Sequence, residues 1–228
     1  MYIHNLKLAT VFRVLLVAVC LYGLVAIFSV SGFSGQELLS FYTIDSNIAV
    51  LAFFSWLLFY TWRRPKQELP SWCLTVKGAV MFGIVLTFLV YHFILSPTLF
   101  SVSDGQWAFA QSPMNIALHY IVPLMTLVDW LLFDKKGNFK RWMPLVWLAI
   151  PSVHLVFVLI RAQFSTFSLT GSHYPYFFID IDTYGIGQVA LNVLGLAVCL
   201  IILGYIFYLI DWALTKQNFI KFFKRQHR

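Results

Sequence analysis

The sequence is poor in charge and in cysteine. Charged side chains make up only 11% of its 228 residues, whereas hydrophobic side chains make up 60%. A soluble domain has about a quarter of its residues charged and about half apolar, so the composition excludes that class and predicts an integral membrane protein. The three cysteines, Cys20, Cys73 and Cys199, are scattered along the chain, and their spacing predicts neither a disulfide framework nor a cysteine-based zinc site.

Hydrophobic runs fill most of the chain. Six segments each approach the ~20 residues that cross a bilayer, and the connections between them leave no room for a soluble domain. We therefore expect an all-α protein, a six-transmembrane-helix bundle that forms a single domain over residues 1–228. The predicted helices lie at about 8–30, 39–62, 73–95, 113–133, 141–163 and 184–213.

Lysine and arginine are absent from the first, third and fifth connections between these segments. They concentrate in the second and fourth connections, near the start of the chain and in the C-terminal tail, and Arg13 and Lys77 count among them. This positive-inside pattern predicts that both termini are cytoplasmic. The net charge is +7, and the same distribution predicts that the basic side chains contact membrane lipids and not nucleic acid.

One polar stretch interrupts the second hydrophobic run. Residues 41–47 include Thr43, Asp45, Ser46 and Asn47. Each of these groups costs free energy in hydrocarbon unless it is partnered, so such a cluster usually faces a bundle interior and often marks function. At 1.5 Å of rise per residue, Thr43 lies about 6 Å from the outer surface. The simpler alternative is that Thr43 and Ser46 bond only to carbonyls of their own helix.

The fourth segment carries a histidine at a matching depth. It reads Asn115-x-x-x-His119-x-x-x-Pro123, and the spacing of four places Asn115 and His119 on one helix face. Pro123 has no N–H for the His119 carbonyl, which predicts a kink. His119 lies about 9 Å from the outer surface, within one helical turn of the depth of Thr43.

The outer half of the predicted bundle carries three more polar side chains: His92 in the third segment, and His154 and Arg161 in the fifth. Arg161 breaks the charge pattern, since it is a basic residue on the outer side. Either it binds a carboxylate or phosphate of a substrate, or its side chain extends to lipid headgroups. The fifth connection, residues 164–183, is rich in aromatic residues, and we expect it to fold over the outer face as a lid.

The chemistry that this set of residues favours is nucleophilic catalysis. A threonine hydroxyl is a weak nucleophile alone, but a nearby imidazole such as His119 takes its proton. Asn47 or Asn115 would then donate hydrogen bonds to the developing oxyanion. A third group, either Asp45 or a backbone carbonyl, would orient the imidazole. An ester would reach a site at this depth sideways, from the lipid phase.

Taken in order, these motifs resemble the androgen-induced and androgen-dependent six-helix membrane proteins, and most closely the bacterial branch of that family. The resemblance covers the second to the sixth segment and rests on Thr43 with Ser46-Asn47, Asn115, His119, Pro123, Asp129-Trp130, Arg161, Tyr174-Pro175-Tyr176, Asp180 and Asn192. Two positions depart from the family. Ser46 stands where the animal enzymes have an acidic residue, and Ala162 stands where the bacterial pattern has glycine.

The resemblance implies an activity and a location. The family consists of membrane hydrolases that cleave fatty acid esters of hydroxy fatty acids with a threonine nucleophile and a histidine, and it implies no cofactor. Thr43 and His119 would be the catalytic pair, in a multi-pass protein of the bacterial inner (plasma) membrane. Arg161 would hold the free carboxylate of the ester. The other predicted substrate contacts are His92, His154 and Tyr174.

Two other functions stay open. The polar cluster would line a pathway in a non-catalytic transporter or lipid-binding protein, although the internal repeats common in transporters are not evident. Haem or metal binding by His92, His119 and His154 is the third reading, but they fall on three helices at unequal depths of about 5, 9 and 13 Å. We therefore predict no metal site. The sequence carries no signal for the oligomeric state.

Overall fold

The computed structural model describes residues 5–65, 67–99, 111–168 and 171–226. Over these residues all regular structure is helical. Six helices are long and apolar enough to cross a membrane, which confirms the predicted spans with ends shifted by a few residues. They are α1 Leu6–Val30, α2 Tyr42–Arg63, α3 Trp72–Leu95, α4 Pro113–Phe133, α5 Met143–Arg161 and α6 Ile181–Thr215. The helix of α6 continues to Gln226.

A separate helical turn, Gly35–Leu38, occupies the connection before α2, so α2 begins three residues later than the prediction about 39. A capping box forms this turn: the Ser34 hydroxyl accepts from the Glu37 N–H at 3.3 Å, and the Glu37 carboxylate accepts from the Ser34 N–H at 2.7 Å. Two further short helices are Ser96–Leu99 and the 3-10 turn Phe177–Ile179.

The first four long helices form a closed bundle, in which α1 and α3 each contact both α2 and α4. Its core contains fully buried apolar side chains from all four helices, among them Leu16, Val50, Ile84 and Val122. A second apolar cluster joins α3 and α4 to α5 and α6, through residues such as Phe82, Trp130, Trp147 and Phe207. Helices α1 and α4 approach each other closely at Gly23, where an added Cβ would lie only 2.7 Å from the Leu118 side chain.

Four charged side chains are buried together at the end of the bundle that holds the start of α1. The Arg13 guanidinium donates to the Asp129 carboxylate at 2.8 Å, and the Lys77 ammonium donates to both Asp129 and Asp134. Their exposed fractions are 6%, 1%, 0% and 5% for Arg13, Lys77, Asp129 and Asp134. The charge pattern counted Arg13 and Lys77 among the basic residues that set the orientation, and in the structure both are buried with carboxylate partners.

Two π-helical stretches lie near the opposite end, Tyr91–Leu95 at the end of α3 and Ala117–Ile121 in α4. In the second of these, the N–H of Val122 donates to the Ala117 carbonyl, five residues back. At the position where the sequence predicted a kink, a π-helical stretch lies just before Pro123. This stretch places one extra residue in that helical turn. The two stretches carry Tyr91 and His119, whose rings stack with centroids 3.9 Å apart.

Candidate active site

Thr43 lies in the first turn of α2, whose N-cap is Phe41. The first N–H groups of a helix have no acceptor within the helix, and they form the positive end of its dipole. The N–H of Tyr42 donates to the hydroxyl of Tyr176 at 2.7 Å, and the same hydroxyl interacts with Thr43. The threonine is therefore held where a negative charge is favoured.

The hydroxyl of Thr43 contacts Nε2 of His119 at 3.0 Å. The other ring nitrogen of His119, Nδ1, lies 3.0 Å from the backbone carbonyl of Asn115. A carbonyl only accepts hydrogen bonds, so Nδ1 carries the hydrogen and Nε2 of the neutral imidazole is left as an acceptor. The Thr43 hydroxyl must then donate to His119, which is the geometry of a nucleophile bound to its general base.

Asn115 holds the imidazole in a second way. Its side-chain amide donates to the Tyr91 hydroxyl at 2.6 Å, and the Tyr91 ring stacks on the His119 ring at an interplanar angle of 28°. The backbone of Asn115 thus fixes the tautomer of His119, while its side chain holds the Tyr91 ring that stacks on the imidazole. The side-chain amide that was predicted to hold an oxyanion donates to Tyr91 instead.

The polar neighbours of Thr43 fasten its helical turn to the rest of the bundle. The amide of Asn47 donates to the carbonyls of Thr43 and Leu118, at 2.8 and 3.2 Å. The Ser46 hydroxyl lies 2.7 Å from the hydroxyl of Thr87 in α3. Because both amide hydrogens of Asn47 are engaged, this residue holds the turn in place and has no hydrogen left for an oxyanion.

Asp45 and two of the predicted histidines lie apart from His119. The Asp45 carboxylate accepts from Nδ1 of His154 at 2.9 Å. His92 is exposed and lies 3.2 Å from the hydroxyl of Tyr120. The orienting group of His119 is the carbonyl, and not Asp45. Over the described ranges, no three His, Cys, Asp or Glu side chains are grouped so that they could hold a metal ion.

Two cavities meet at Thr43. The α5 cavity lies between α3, α5 and α6. The α1 cavity lies between α1, α4 and residues 175–177. Most of the lining of both is apolar, and both are lined by Thr43, Tyr91, Leu95 and Tyr176. A ligand that reaches Thr43 thus has apolar space on two sides.

Of the four predicted substrate contacts, His154 alone lines one of these two cavities. Arg161 borders a different cavity, together with Glu37 and Ser168, and its guanidinium lies over the Phe167 ring and donates to the His173 carbonyl at 3.3 Å. Tyr174 is buried in an apolar cluster with side chains of α5 and α6.

Sequence reasoning missed the two tyrosines that contact Thr43 and His119. Tyr176 stands in the motif Tyr174-Pro175-Tyr176, but the resemblance drew attention to its first tyrosine. Tyr91 directly precedes His92, which was one of the predicted substrate contacts. A signal was present for Tyr176 in the motif itself, whereas the stacking of Tyr91 depends on two π-helical stretches that hydrophobic patterning does not reveal.

Comparison with known proteins adds no relative. No family model, no curated protein and no solved structure matches this chain. The resemblance to the androgen-induced and androgen-dependent membrane proteins therefore rests on its short motifs alone.

Proposed function

We propose that this protein is an intramembrane hydrolase of lipid esters, with Thr43 as the nucleophile and His119 as the general base. One observation carries the proposal: the Thr43 hydroxyl lies 3.0 Å from an imidazole nitrogen that its partner on the other side leaves as an acceptor. A nucleophile, a base and a group that orients the base are the three parts of an activated hydroxyl.

The reaction runs through an ester of Thr43. The threonine oxygen attacks the carbonyl carbon of the lipid ester while its proton moves to Nε2 of His119. The bond to the alcohol breaks, and His119 gives the proton to the departing alkoxide. A water molecule then attacks the Thr43 ester and gives a proton to His119. Collapse of the second intermediate releases the fatty acid and returns the proton to Thr43.

The Tyr176 hydroxyl and the start of α2 are suited to stabilise the oxyanion of these intermediates. The Tyr42 N–H donates to the Tyr176 oxygen, so the hydroxyl hydrogen of Tyr176 stays available for another acceptor. This group is held in place before the reaction begins, and it needs no reorganisation when negative charge develops. We assign Tyr176, in place of Asn47 and Asn115, as the side-chain donor.

The two cavities favour a substrate with an apolar chain on each side of the ester. One chain would occupy the α5 cavity and the other the α1 cavity, with the carbonyl between them at Thr43. Fatty acid esters of hydroxy fatty acids have this form, and they would enter from the bilayer. Chains that move from the bilayer into these cavities leave one apolar environment for another, so van der Waals packing and the polar groups at Thr43 would supply the binding free energy.

The basic residues of the connections support an orientation in the membrane. Arg63, Arg64, Lys135 and Lys140 belong to the connections at the end of the bundle opposite Thr43. By the positive-inside rule this end faces the cytoplasm, together with both termini, and Thr43 lies in the outer half of the plasma membrane of a bacterial cell. Protease should remove a C-terminal tag in inside-out vesicles and leave it intact in whole spheroplasts, and the opposite result would reverse the orientation.

Packing beneath the site favours hydrolysis over transport. Below Thr43, the side chains of Val50, Phe54 and Leu57 in α2 and of Leu16 in α1 are fully buried. A transport pathway needs a polar route through that half of the bundle. The buried ion pairs at the far end are bonded to one another, and they contribute no such route.

The test is covalent labelling of the purified protein in detergent by a fluorophosphonate with a long alkyl chain. Peptide mass spectrometry should find the adduct on Thr43, because this hydroxyl is hydrogen-bonded to a base. The adduct should disappear in Thr43→Ala and in His119→Ala, and hydrolysis of long-chain esters should be lost with it. Thr126→Ala is the matched control, since Thr126 is a buried α4 threonine that bonds to its own helix. Hydrolysis that persists in folded Thr43→Ala would refute the assignment.

A further inference from the structure

The two cavities at Thr43 differ in whether they reach the general base. Both are lined by Thr43 and Tyr176, but His119 lines the α1 cavity and does not line the α5 cavity. In the proposed reaction His119 gives its proton to the departing alkoxide and then takes a proton from the attacking water. Both events bring an oxygen atom to His119, so the alcohol portion of the ester and the water belong in the α1 cavity.

The acyl chain is then left with the α5 cavity. This chain stays attached to Thr43 while the alcohol departs and the water enters, so it needs a place that neither of them crosses. The α5 cavity provides such a place, because it meets the α1 cavity at Thr43 and otherwise lies between α3, α5 and α6.

The α5 cavity extends along the helices, toward the end of the bundle that holds the buried ion pairs. Its lining on α6 runs from Val193 to Leu200, and its lining on α5 runs from Leu155 back to Leu148. Seven residues separate the ends of each stretch, which is about 10 Å at 1.5 Å of rise per residue. An extended alkyl chain advances about 1.3 Å per carbon, because its bonds of ~1.5 Å meet at tetrahedral angles, so this length holds about eight carbons.

Packed side chains close the inner end of the α5 cavity. Leu86 and Leu200 line the cavity and also belong to the second apolar cluster. In the same cluster the rings of Phe82 and Trp147 lie 5.5 Å apart, and both side chains are buried. A chain that reaches Leu200 therefore meets a packed core, and each further carbon would have to displace core side chains.

The α1 cavity has a different direction. On α2 its lining ends at Ile44, the residue after Thr43, and on α4 it ends at His119. On α1 it consists of Ile27 and Ser31, at the outer end of that helix. A group in this cavity thus stays at the level of Thr43 or nearer the outer end, and the core that closes the α5 cavity does not limit its length.

We propose that the α5 cavity binds the acyl chain of the ester and selects chains of medium length, about eight to ten carbons. Ala197 and Leu200 determine this length, since Ala197 lines the cavity about one helical turn before its inner end. Esters with longer acyl chains react more slowly, whereas a long chain is accepted in the alcohol portion. The inference rests on the proposed hydrolysis at Thr43, because it concerns the acyl side of that reaction.

The test compares kcat/KM for the hexanoyl, decanoyl and hexadecanoyl esters of one long-chain alcohol. It should rise from hexanoyl to decanoyl and fall about tenfold from decanoyl to hexadecanoyl. Ala197→Leu should make the hexanoyl ester the best substrate, because the larger side chain fills the inner part of the cavity. Ala190→Leu is the matched control, since it makes the same change on α6 at an exposed position that lines neither cavity.

Enlargement of the cavity tests the same limit from the other direction. Leu200→Ala should raise kcat/KM for the hexadecanoyl ester relative to the decanoyl ester, because it removes side-chain atoms at the inner end. Leu203→Ala is its control, since Leu203 packs against the same apolar cluster without lining the cavity. If Leu200→Ala does not fold, the result with Ala197→Leu decides.

Binding separates the length selection from hydrolysis. Calorimetry with Thr43→Ala protein in one detergent gives Kd for the same esters, and the order of affinities should change with Ala197→Leu in the same way. If no ester is hydrolysed but this order and its change are found, the proposed function fails and the length selection stands. The selection is overturned if Ala197→Leu keeps the acyl preference of the unmodified protein, or changes the preference for the length of the alcohol instead, and hydrolysis at Thr43 then stands without it.

Discussion

At the scale of single residues, the backbone carbonyl of Asn115 decides which nitrogen of His119 is a hydrogen-bond acceptor. The carbonyl holds the hydrogen on Nδ1, so Nε2 faces the Thr43 hydroxyl as an acceptor. In a catalytic triad a carboxylate orients the imidazole in this way, and it also stabilises the imidazolium that forms. Here the neutral carbonyl orients the ring, and it provides less charge stabilisation than an aspartate would.

The role of Tyr176 can be tested by removing one oxygen. Tyr176→Phe should lower kcat for ester hydrolysis by about 10²–10³-fold with little change in KM, because the loss of an oxyanion donor affects the transition state far more than substrate binding. Tyr174→Phe is the matched control, since its side chain packs in an apolar cluster outside both cavities. A fall in kcat of the same size in both variants would remove the assignment.

The general base can be separated from a structural histidine by chemical rescue. His119→Ala should lose at least 10²-fold in kcat, because no other group takes the Thr43 proton. Added imidazole should restore part of this rate, and His92→Ala, which alters an exposed histidine, should hydrolyse ester normally. If His119→Ala keeps its thermal stability and its full rate, His119 is not the base.

Residue types and spacing were enough to predict the pair of Thr43 and His119, but not their neighbours. Depth in the membrane follows from counting along a helix, which is why the two matched. The partner of Asp45 was not predictable, because it depends on how far α2 is rotated toward α5, and that rotation is set by packing. Asn47 was predicted from its residue type as a donor to the oxyanion, and in the fold it donates to the carbonyls of Thr43 and Leu118.

At the scale of elements, the turn Gly35–Leu38 connects the start of α2 to the fifth connection. Glu37 accepts hydrogen bonds from the N–H groups of Ser34 and Ser168. The bond from Ser168, with those from Ser34, lowers the pKa of Glu37 to about 2. A carboxyl group with a lowered pKa stabilises the fold fully above its ordinary value near 4.5, and this contribution is lost as the pH falls towards 2.

Hydrogen exchange can follow this contact. Protection of residues 165–168 should be constant at neutral pH and decrease as the pH falls from about 4.5 to about 2, because protonation weakens Glu37 as an acceptor. Glu37→Gln should show the lower protection even at neutral pH. Glu68→Gln changes an exposed glutamate and serves as control. Equal protection in Glu37→Gln and the unmodified protein would show that the contact does not hold this segment.

The long elements were predictable because length and apolarity decide which segments span a membrane. The interruptions within them were not. Pro123 indicates that the regular α-helix of α4 is interrupted, but packing against the neighbouring helix decides whether a kink or a π-helical stretch forms. Pro97 stands two residues after the stretch Tyr91–Leu95, as Pro123 stands two residues after Ala117–Ile121, so a proline follows both stretches.

At the scale of the whole molecule, the buried ion pairs fasten α1, α3 and α4 together at the end opposite the site. Removal of one partner leaves an uncompensated buried charge, which costs about 3–5 kcal/mol. Asp129→Asn should therefore lower the free energy of unfolding by about this amount, as it deprives both Arg13 and Lys77 of a carboxylate. Thermal unfolding in detergent measures the loss.

Lys140→Met is the control for that experiment, because Lys140 is an exposed cation of the same end of the molecule. It should change the free energy of unfolding by less than about 0.5 kcal/mol. Added salt should not reproduce the effect of Asp129→Asn, since buried pairs are screened weakly. A stability of Asp129→Asn equal to that of Lys140→Met would show that the pairs contribute nothing.

The same ion pairs can form only late in the synthesis of the chain. Arg13 and Lys77 are made early, but their carboxylates, Asp129 and Asp134, emerge only when α4 has been synthesised. A nascent chain with three helices inserted therefore carries two cations that no aspartate of the network yet neutralises, and such charges are unfavourable in a bilayer interior. Completion of α4 supplies the carboxylates that pair with both cations. Release of the chain before Asp129 would leave Arg13 and Lys77 without these carboxylates, and the stability of the three-helix product would be lower for that reason.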